Sequence, residues 1–265
     1  MAAVKLVSSL EGPDGAPVLV LGNPIGTNRD VWSRQLAALS RHFRVLRYEP
    51  RGHGAPGDQS PAPAGPYTID DLGGDVLALA DDHGIDQFAY AGVSLGGMTG
   101  LWLAATAPER ITALAVCCAA LTALPSPQAW HDRAALVRAE GMAPLAAQVV
   151  PRWFTPAFMN REPAAVQAVT DMLTATAPEG YAGCGEAIAA LDLRPLLGSV
   201  RAPTLVLSGA EDVAAPPEIG AFTAEAIPGA RLTVIEGAAH FAHYERPGPV
   251  TDALLAHFSS ASPYA

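Results

Sequence analysis

The chain has 265 residues, enough to bury a sizeable core without metal or disulfides and suited to one large domain or a domain carrying an insertion. Its 16 Lys and Arg stand against 26 Asp and Glu, a formal net charge of −10, which argues against nucleic acid and anionic membrane surfaces as partners. A single local arginine can still recruit an anionic small molecule against such a diffuse field.

The three cysteines, Cys117, Cys118 and Cys184, form neither a disulfide framework nor a C-x-x-C zinc pattern. Cys117 and Cys118 lie in an apolar run and read as buried small hydrophobes. The first ten residues carry one lysine and no signal-peptide hydrophobic region. The longest apolar stretch, 111–124, is too short to span a bilayer. The expectation is a cytoplasmic protein.

In chain order, a compact apolar strand is predicted at 18–21. Residues 29–41 place Val31, Trp32, Leu36 and Leu39 at helical spacing, and 45–48 is the next strand. Residues 51–66 are rich in Gly and Pro and form a loop. The helix over 68–82 begins Thr68-Ile69-Asp70-Asp71, whose acidic residues suit the positive end of a helix dipole. A strand at 88–91, a helix at 95–107 ended by Pro108 and a strand at 111–117 follow. From 121 to 200 strand signals vanish, prolines interrupt, and helical stretches such as 130–139 and 164–175 succeed one another. A strand at 204–207, a helix at 218–226, a strand at 231–235 and a helix at 249–258 complete the chain. Strands alternating with helices imply an α/β fold, its mostly parallel central sheet flanked by helices. Residues 1–120 and 201–265 are the expected core, and 121–200 an inserted helical lid, or cap.

The run Tyr90-Ala91-Gly92-Val93-Ser94-Leu95-Gly96-Gly97 contains a G-x-S-x-G pattern between a predicted strand and a predicted helix. At such a turn the serine is held strained with its hydroxyl exposed, and the positions two before and two after must be small. The bland reading is any glycine-rich βα loop; the strand–turn–helix setting favours a nucleophile elbow. A serine nucleophile needs a base, and the base an orienting acid. Asp212 lies just past a predicted strand end, with Glu211 as its competitor. His240 lies in a short glycine-containing loop past the last strand, and His243 is close by. The order Ser, Asp, His makes Ser94, Asp212 and His240 the candidate catalytic residues. Oxyanion donors are expected from the backbone N–H of Leu95 and of Ile25, since Pro24 has no N–H to give. His53, in Arg51-Gly52-His53-Gly54, reads as a residue that fixes its loop rather than one that reacts.

These motifs resemble the α/β-hydrolase superfamily, and within it the bacterial 3-oxoadipate enol-lactonases. The stretches that carry the resemblance are Gly26-Thr27 through Trp32, His42-Phe43-Arg44-Val45-Leu46-Arg47-Tyr48, Arg51-Gly52-His53-Gly54 and Gly65-Pro66-Tyr67-Thr68-Ile69. In the lid they are Arg138-Ala139-Glu140-Gly141-Met142, Arg152-Trp153-Phe154-Thr155-Pro156 and Pro178-Glu179-Gly180-Tyr181. The resemblance covers roughly 18–260. It implies hydrolysis of a small carboxylate-bearing enol-lactone to 3-oxoadipate, in the β-ketoadipate route of aromatic catabolism, with no metal and no organic cofactor. It maps nucleophile, acid and base onto Ser94, Asp212 and His240. The chain departs from the family at Pro24-Ile25, at Glu49, at Leu95 and at Val213-Ala214-Ala215; Ile25 and Leu95 are expected to wall the pocket.

A substrate carboxylate needs a cation, and the lid offers Arg133, Arg138 and Arg152, with Trp130 and Trp153 as apolar walls. Arg133 is the preferred one. The same scaffold also supports an esterase, a C–C bond hydrolase or a lactone-forming or acyl-transferring biosynthetic enzyme. A non-catalytic ligand-binding protein is the reading from another class. The sequence leaves the oligomeric state open.

Overall fold

The structure is a computed structural model and describes residues 2–260. Its elements are β1 (Ser8–Glu11), β2 (Val18–Gly22), α1 (Ser33–Leu39), β3 (Arg44–Tyr48), α2 (Ile69–Asp82), β4 (Phe88–Val93), α3 (Leu95–Thr106) and β5 (Ile111–Cys117). The helical block comprises α4 (Pro127–Glu140), α5 (Ala143–Val149), α6 (Pro156–Arg161), α7 (Pro163–Ala175) and α8 (Pro178–Ala189). Then come β6 (Thr204–Gly209), α9 (Pro217–Ala226), β7 (Arg231–Ile235), α10 (Ala242–Glu245) and α11 (Pro247–Ser260).

The strands form one seven-stranded sheet in the order β1-β3-β2-β4-β5-β6-β7. Only β1 runs antiparallel, paired to β3; all other pairs are parallel. The inner strands read as apolar runs because both their faces are covered, and every residue of β4 is buried. The order reverses between β2 and β4, so the loops leaving these neighbours diverge and open a crevice at their C-terminal ends.

Two expectations change. The span 29–41 begins as a 3₁₀ turn at Arg29–Trp32 and becomes α-helical only at Ser33, with Asn28 capping the turn through its side chain. The edge strand β1 has no counterpart in the sequence reading, because Ser8-Ser9-Leu10-Glu11 is short and mostly polar and becomes a strand only by pairing with β3. Elsewhere the local signals act as expected. Thr68 and Asp71 form a reciprocal capping box at the start of α2, a device that contributes about 1 kcal/mol. No helix among the described residues is long and apolar enough to cross a membrane.

At the centre of the sheet three glycines let backbones approach where no side chain fits. A Cβ on Gly92 would collide with the backbone of Gly96, and one on Gly96 with the carbonyl of Gly22. One on Gly22 would collide with the Tyr90 hydroxyl. Gly22 and Gly92 are register partners at the ends of β2 and β4, so the start of α3 sits directly over them. Gly96→Ala must displace backbone rather than a flexible side-chain tip. It should destabilise the fold by about 1–3 kcal/mol, the usual range for overpacking, or more. Gly74, which has open space around it, is the matched control. Urea unfolding of Gly96→Ala and Gly74→Ala checks this; equal midpoints would refute the steric account.

Candidate active site

Ser94 follows β4 directly and caps the N-terminus of α3 with φ 52° and ψ −115°. Such a conformation is strained for a side-chain-bearing residue and persists only where its surroundings enforce it. Here the Ser94 N–H donates to Cys117 O at 2.9 Å, and the Ser94 carbonyl accepts from Met98 N–H at 2.9 Å. Ser94 is 8% exposed and lines a cavity of about 240 Å³.

Asp212 sits three residues beyond β6 and is buried. One carboxylate oxygen, Oδ1, accepts the N–H groups of Ala214 and Ala215 at 2.7 and 2.9 Å. The other, Oδ2, lies 2.8 Å from Nδ1 of His240. With Asp212 as acceptor, the Nδ1 proton is fixed and Nε2 of His240 is left as the basic nitrogen. The neighbouring Glu211 is exposed, and only its backbone takes part, donating to Ala238 O. Of the two acids, Asp212 is the one whose side chain meets His240. His240 lines the same cavity as Ser94. Among the described residues no hydrogen bond joins the Ser94 hydroxyl to His240; such contacts tighten when substrate is bound.

His243 is placed differently. It is buried against Trp32 and Phe241, with ring centroids 5.0 and 5.6 Å away, and neither ring nitrogen has a hydrogen-bond partner. Burial, reinforced by the nearby His240 and Arg34, pushes its pKa down to about 3. It does not line the cavity.

Ile25 lines the cavity in the loop after β2, and Leu95 begins α3. As the first residue of a helix, Leu95 has an N–H with no intrahelical acceptor. Its side chain corrects one expectation: it does not wall this cavity. Leu95 instead lines a separate small cavity with Asn23, Tyr48, Arg51 and Asp75.

The helical block supplies most of the remaining wall. Trp130, Arg133, Val149, Arg152, Trp153, Tyr181 and Ile188 line the cavity. Arg133 is half-buried, with its guanidinium 4.6 Å from the Trp130 ring centroid, and makes no ion pair among the described residues. Arg152 is exposed at the same cavity. Arg138 is elsewhere, held by Glu179 and Glu186 at 2.8 and 2.5 Å. Tyr181, Ile188 and Val149 carried no site role in the sequence reading. The spacing of Tyr181 and Ile188, seven apart on α8, was the available signal, since it puts both on one helix face.

The block is docked onto the loop that carries His240. Phe241 N–H donates to Trp153 O at 3.0 Å, and the two rings stack 4.8 Å apart. Buried Glu245 accepts from Ala239 N–H on one side and from Thr155 N–H and hydroxyl on the other. Among the described residues no cluster of three or more His, Cys, Asp and Glu could hold a metal ion.

Comparison with known proteins gives this geometry its relatives. Residues 17–247 match the family model described as alpha/beta hydrolase fold. The chain is 40% identical to 3-oxoadipate enol-lactonase 2 of Acinetobacter baylyi over 92% of this chain and 90% of that protein. It is 34% identical to 3-oxoadipate enol-lactonase 1 of the same organism, over 90% and 87%. The crystal structure of the enol-lactonase from Burkholderia xenovorans LB400 superposes with a TM-score of 0.93 at 44% identity, covering 97% of this chain and 99% of that one. The chain belongs to the alpha/beta hydrolase family, and within it is similar to the 3-oxoadipate enol-lactonases.

Proposed function

We propose that this protein is a serine hydrolase that opens 3-oxoadipate enol-lactone to 3-oxoadipate. The observation that carries the reading is one cavity shared by Ser94, His240 in its bond to Asp212, and an arginine with no acidic partner. The similarity to enol-lactonases over nine-tenths of the chain supports the choice of lactone.

In this reading Ser94 Oγ attacks the lactone carbonyl while Nε2 of His240 takes its proton, and Asp212 stabilises the resulting imidazolium. The N–H groups of Ile25 and Leu95 bind the oxyanion. Collapse breaks the ring C–O bond, His240 returns the proton to the departing enol oxygen, and the enol tautomerises to the ketone. A water deprotonated by His240 then attacks the acyl-enzyme and releases the second carboxylate. An enolate leaves more readily than an alkoxide, so deacylation carries the greater burden. Arg133 pairs with the substrate's own carboxylate, from a half-buried position against the Trp130 ring. The helical block 121–200 acts as a lid that excludes water from the acyl-enzyme. A second reading, another ester or lactone on the same machinery, is favoured by Ile25 and by Val213-Ala214-Ala215, which depart from the family and line the cavity.

Ser94→Ala should lower kcat for the enol-lactone by about 10⁴–10⁶-fold with the fold intact; turnover near the parent level ends the proposal. A charged hydrogen bond contributes about 1.5–3 kcal/mol, so Arg133→Ala should raise KM for the anionic lactone by about tenfold or more. Arg138→Ala, outside the cavity, should leave KM unchanged, and equal effects from the two would remove Arg133 from the substrate site.

His243→Phe separates the two histidines. It should keep most of the turnover, whereas His240→Asn should not. Because His243 binds its proton far more weakly folded than unfolded, the native state loses stability as pH falls from about 6.5 toward 3. The phenylalanine variant lacks this loss, so its Tm should gain on the parent's as the pH is lowered; parallel Tm profiles would contradict the assignment.

A further inference from the structure

We infer that Thr27 and His53 are positioning residues that aim the Ile25 N–H at the oxyanion, by locking the peptide planes on either side of it. The inference rests on the serine-hydrolase reading above.

Ile25 and Gly26 are the central residues of a turn after β2, and Gly26 takes φ +76°, which glycine adopts without strain. The peptide between Pro24 and Ile25 carries the Pro24 carbonyl on one edge and the Ile25 N–H on the other, pointing opposite ways in one plane. The Thr27 hydroxyl donates to that Pro24 carbonyl at 2.8 Å. Pulling the carbonyl to one side turns the Ile25 N–H to the other. The next peptide is held by its N–H: Gly26 donates to Nε2 of His53 at 2.9 Å. Nδ1 of His53 lies 2.8 Å from the Arg51 carbonyl, which can only accept, so Nδ1 bears the proton and Nε2 is free to receive.

Both side chains are fully buried, at 0% exposure. Neither lines the cavity that holds Ser94. Burial holds the His53 pKa down to about 4, which keeps its ring neutral in the range where a serine hydrolase works. The carbonyl that orients His53 is itself anchored, because the Arg51 guanidinium is paired with buried Asp75. From the far side, Gly52 packs against Gly180 of α8, and its carbonyl accepts the Ala177 N–H at 3.0 Å. A buried histidine and a buried hydroxyl thus converge on the two peptides of one residue, whose remaining N–H has no other assigned task.

The test uses full-length protein and 4-nitrophenyl acetate, with Ser94→Ala as control. Thr27→Val keeps the shape and removes the hydroxyl; Thr27→Ser keeps the hydroxyl. His53→Leu removes both ring bonds, and His53→Gln can reproduce both. Losing a whole oxyanion donor costs about 10²–10³ in kcat, so misaiming one should lower kcat by about tenfold or more in Thr27→Val and His53→Leu. KM should stay within about twofold, since uniform binding is untouched. Thr27→Ser should recover most of the parent kcat, which supports the inference even where His53→Leu folds poorly. The inference is overturned if Thr27→Val and His53→Leu keep the parent kcat while Ser94→Ala is inactive. It is equally overturned if kcat and KM worsen together and Thr27→Ser restores neither. An active Ser94→Ala would instead remove the serine-hydrolase reading, and this inference with it.

Discussion

The geometry of the site depends on a steric constraint: three backbones meet at Gly22, Gly92 and Gly96 with no room for a Cβ on any of them. That approach lets β4 turn into α3 within one residue. The turn puts Ser94 at φ 52° and leaves the Leu95 N–H at the open end of a helix. It also brings the loop after β2 beside Ser94, because Gly22 and Gly92 are register partners on adjacent strands. The strain at Ser94 is therefore held by sheet and helix together. Cys118, one residue beyond β5, also takes a positive φ, 47°, and its thiol points toward Ala239 O in the His240 loop. Among the described residues, both backbone outliers that bear side chains lie where the strands open onto the crevice, the pattern expected when a fold stores strain at a site.

Electrostatics act on two scales. A net charge of −10 repels an anionic lactone at a distance, but that field is screened within about 8–10 Å at physiological ionic strength. Inside the cavity the local charge decides. Many of the basic residues are neutralised by partners, as Arg29, Arg34, Arg47, Arg51, Arg110 and Arg138 show. Arg133 makes no ion pair among the described residues and lies over the Trp130 ring. In the proposed reading, this guanidinium, left against an indole in a partly buried wall, is the group that takes the substrate's carboxylate.

The sequence makes legible those features that are local in the chain. Gly92, Ser94 and Gly96 announce the elbow because its geometry is set within five residues. Pro108 ends α3, and Thr68 with Asp71 starts α2, by rules that need no partner. Asp212 and His240 are legible one step less directly: each follows a strand, and only the parallel sheet makes their loops neighbours. What sequence could not supply is long-range placement. β1 is a strand because β3 offers it an edge. Glu211 is excluded because Asp212, not its neighbour, meets His240. Leu95 misleads, since its position beside Ser94 says nothing about which cavity it lines. The wall residues Tyr181 and Ile188 depend on how α8 lies against α4, which no local pattern states.

The division of labour between sheet and helical block explains why one family can act on many substrates. Ser94, Asp212, His240 and the Ile25 loop come from the ends of β4, β6, β7 and β2, and in the proposed reaction they touch only the acyl group that every ester or lactone shares. In the same reading Trp130, Arg133, Tyr181 and Ile188, which line the cavity, face the rest of the substrate. Interactions with such remote parts raise the rate only if they bear on the reacting geometry. Here the connections are short. The block meets the base loop through Phe241 on Trp153 and through Glu245, which takes hydrogen bonds from both Thr155 and Ala239. It meets the oxyanion side through Ala177 on Gly52, one residue from His53. The wall is therefore joined to the same segments that carry His240 and the loop after β2. Changing the wall alters which substrate fits while leaving the elbow untouched.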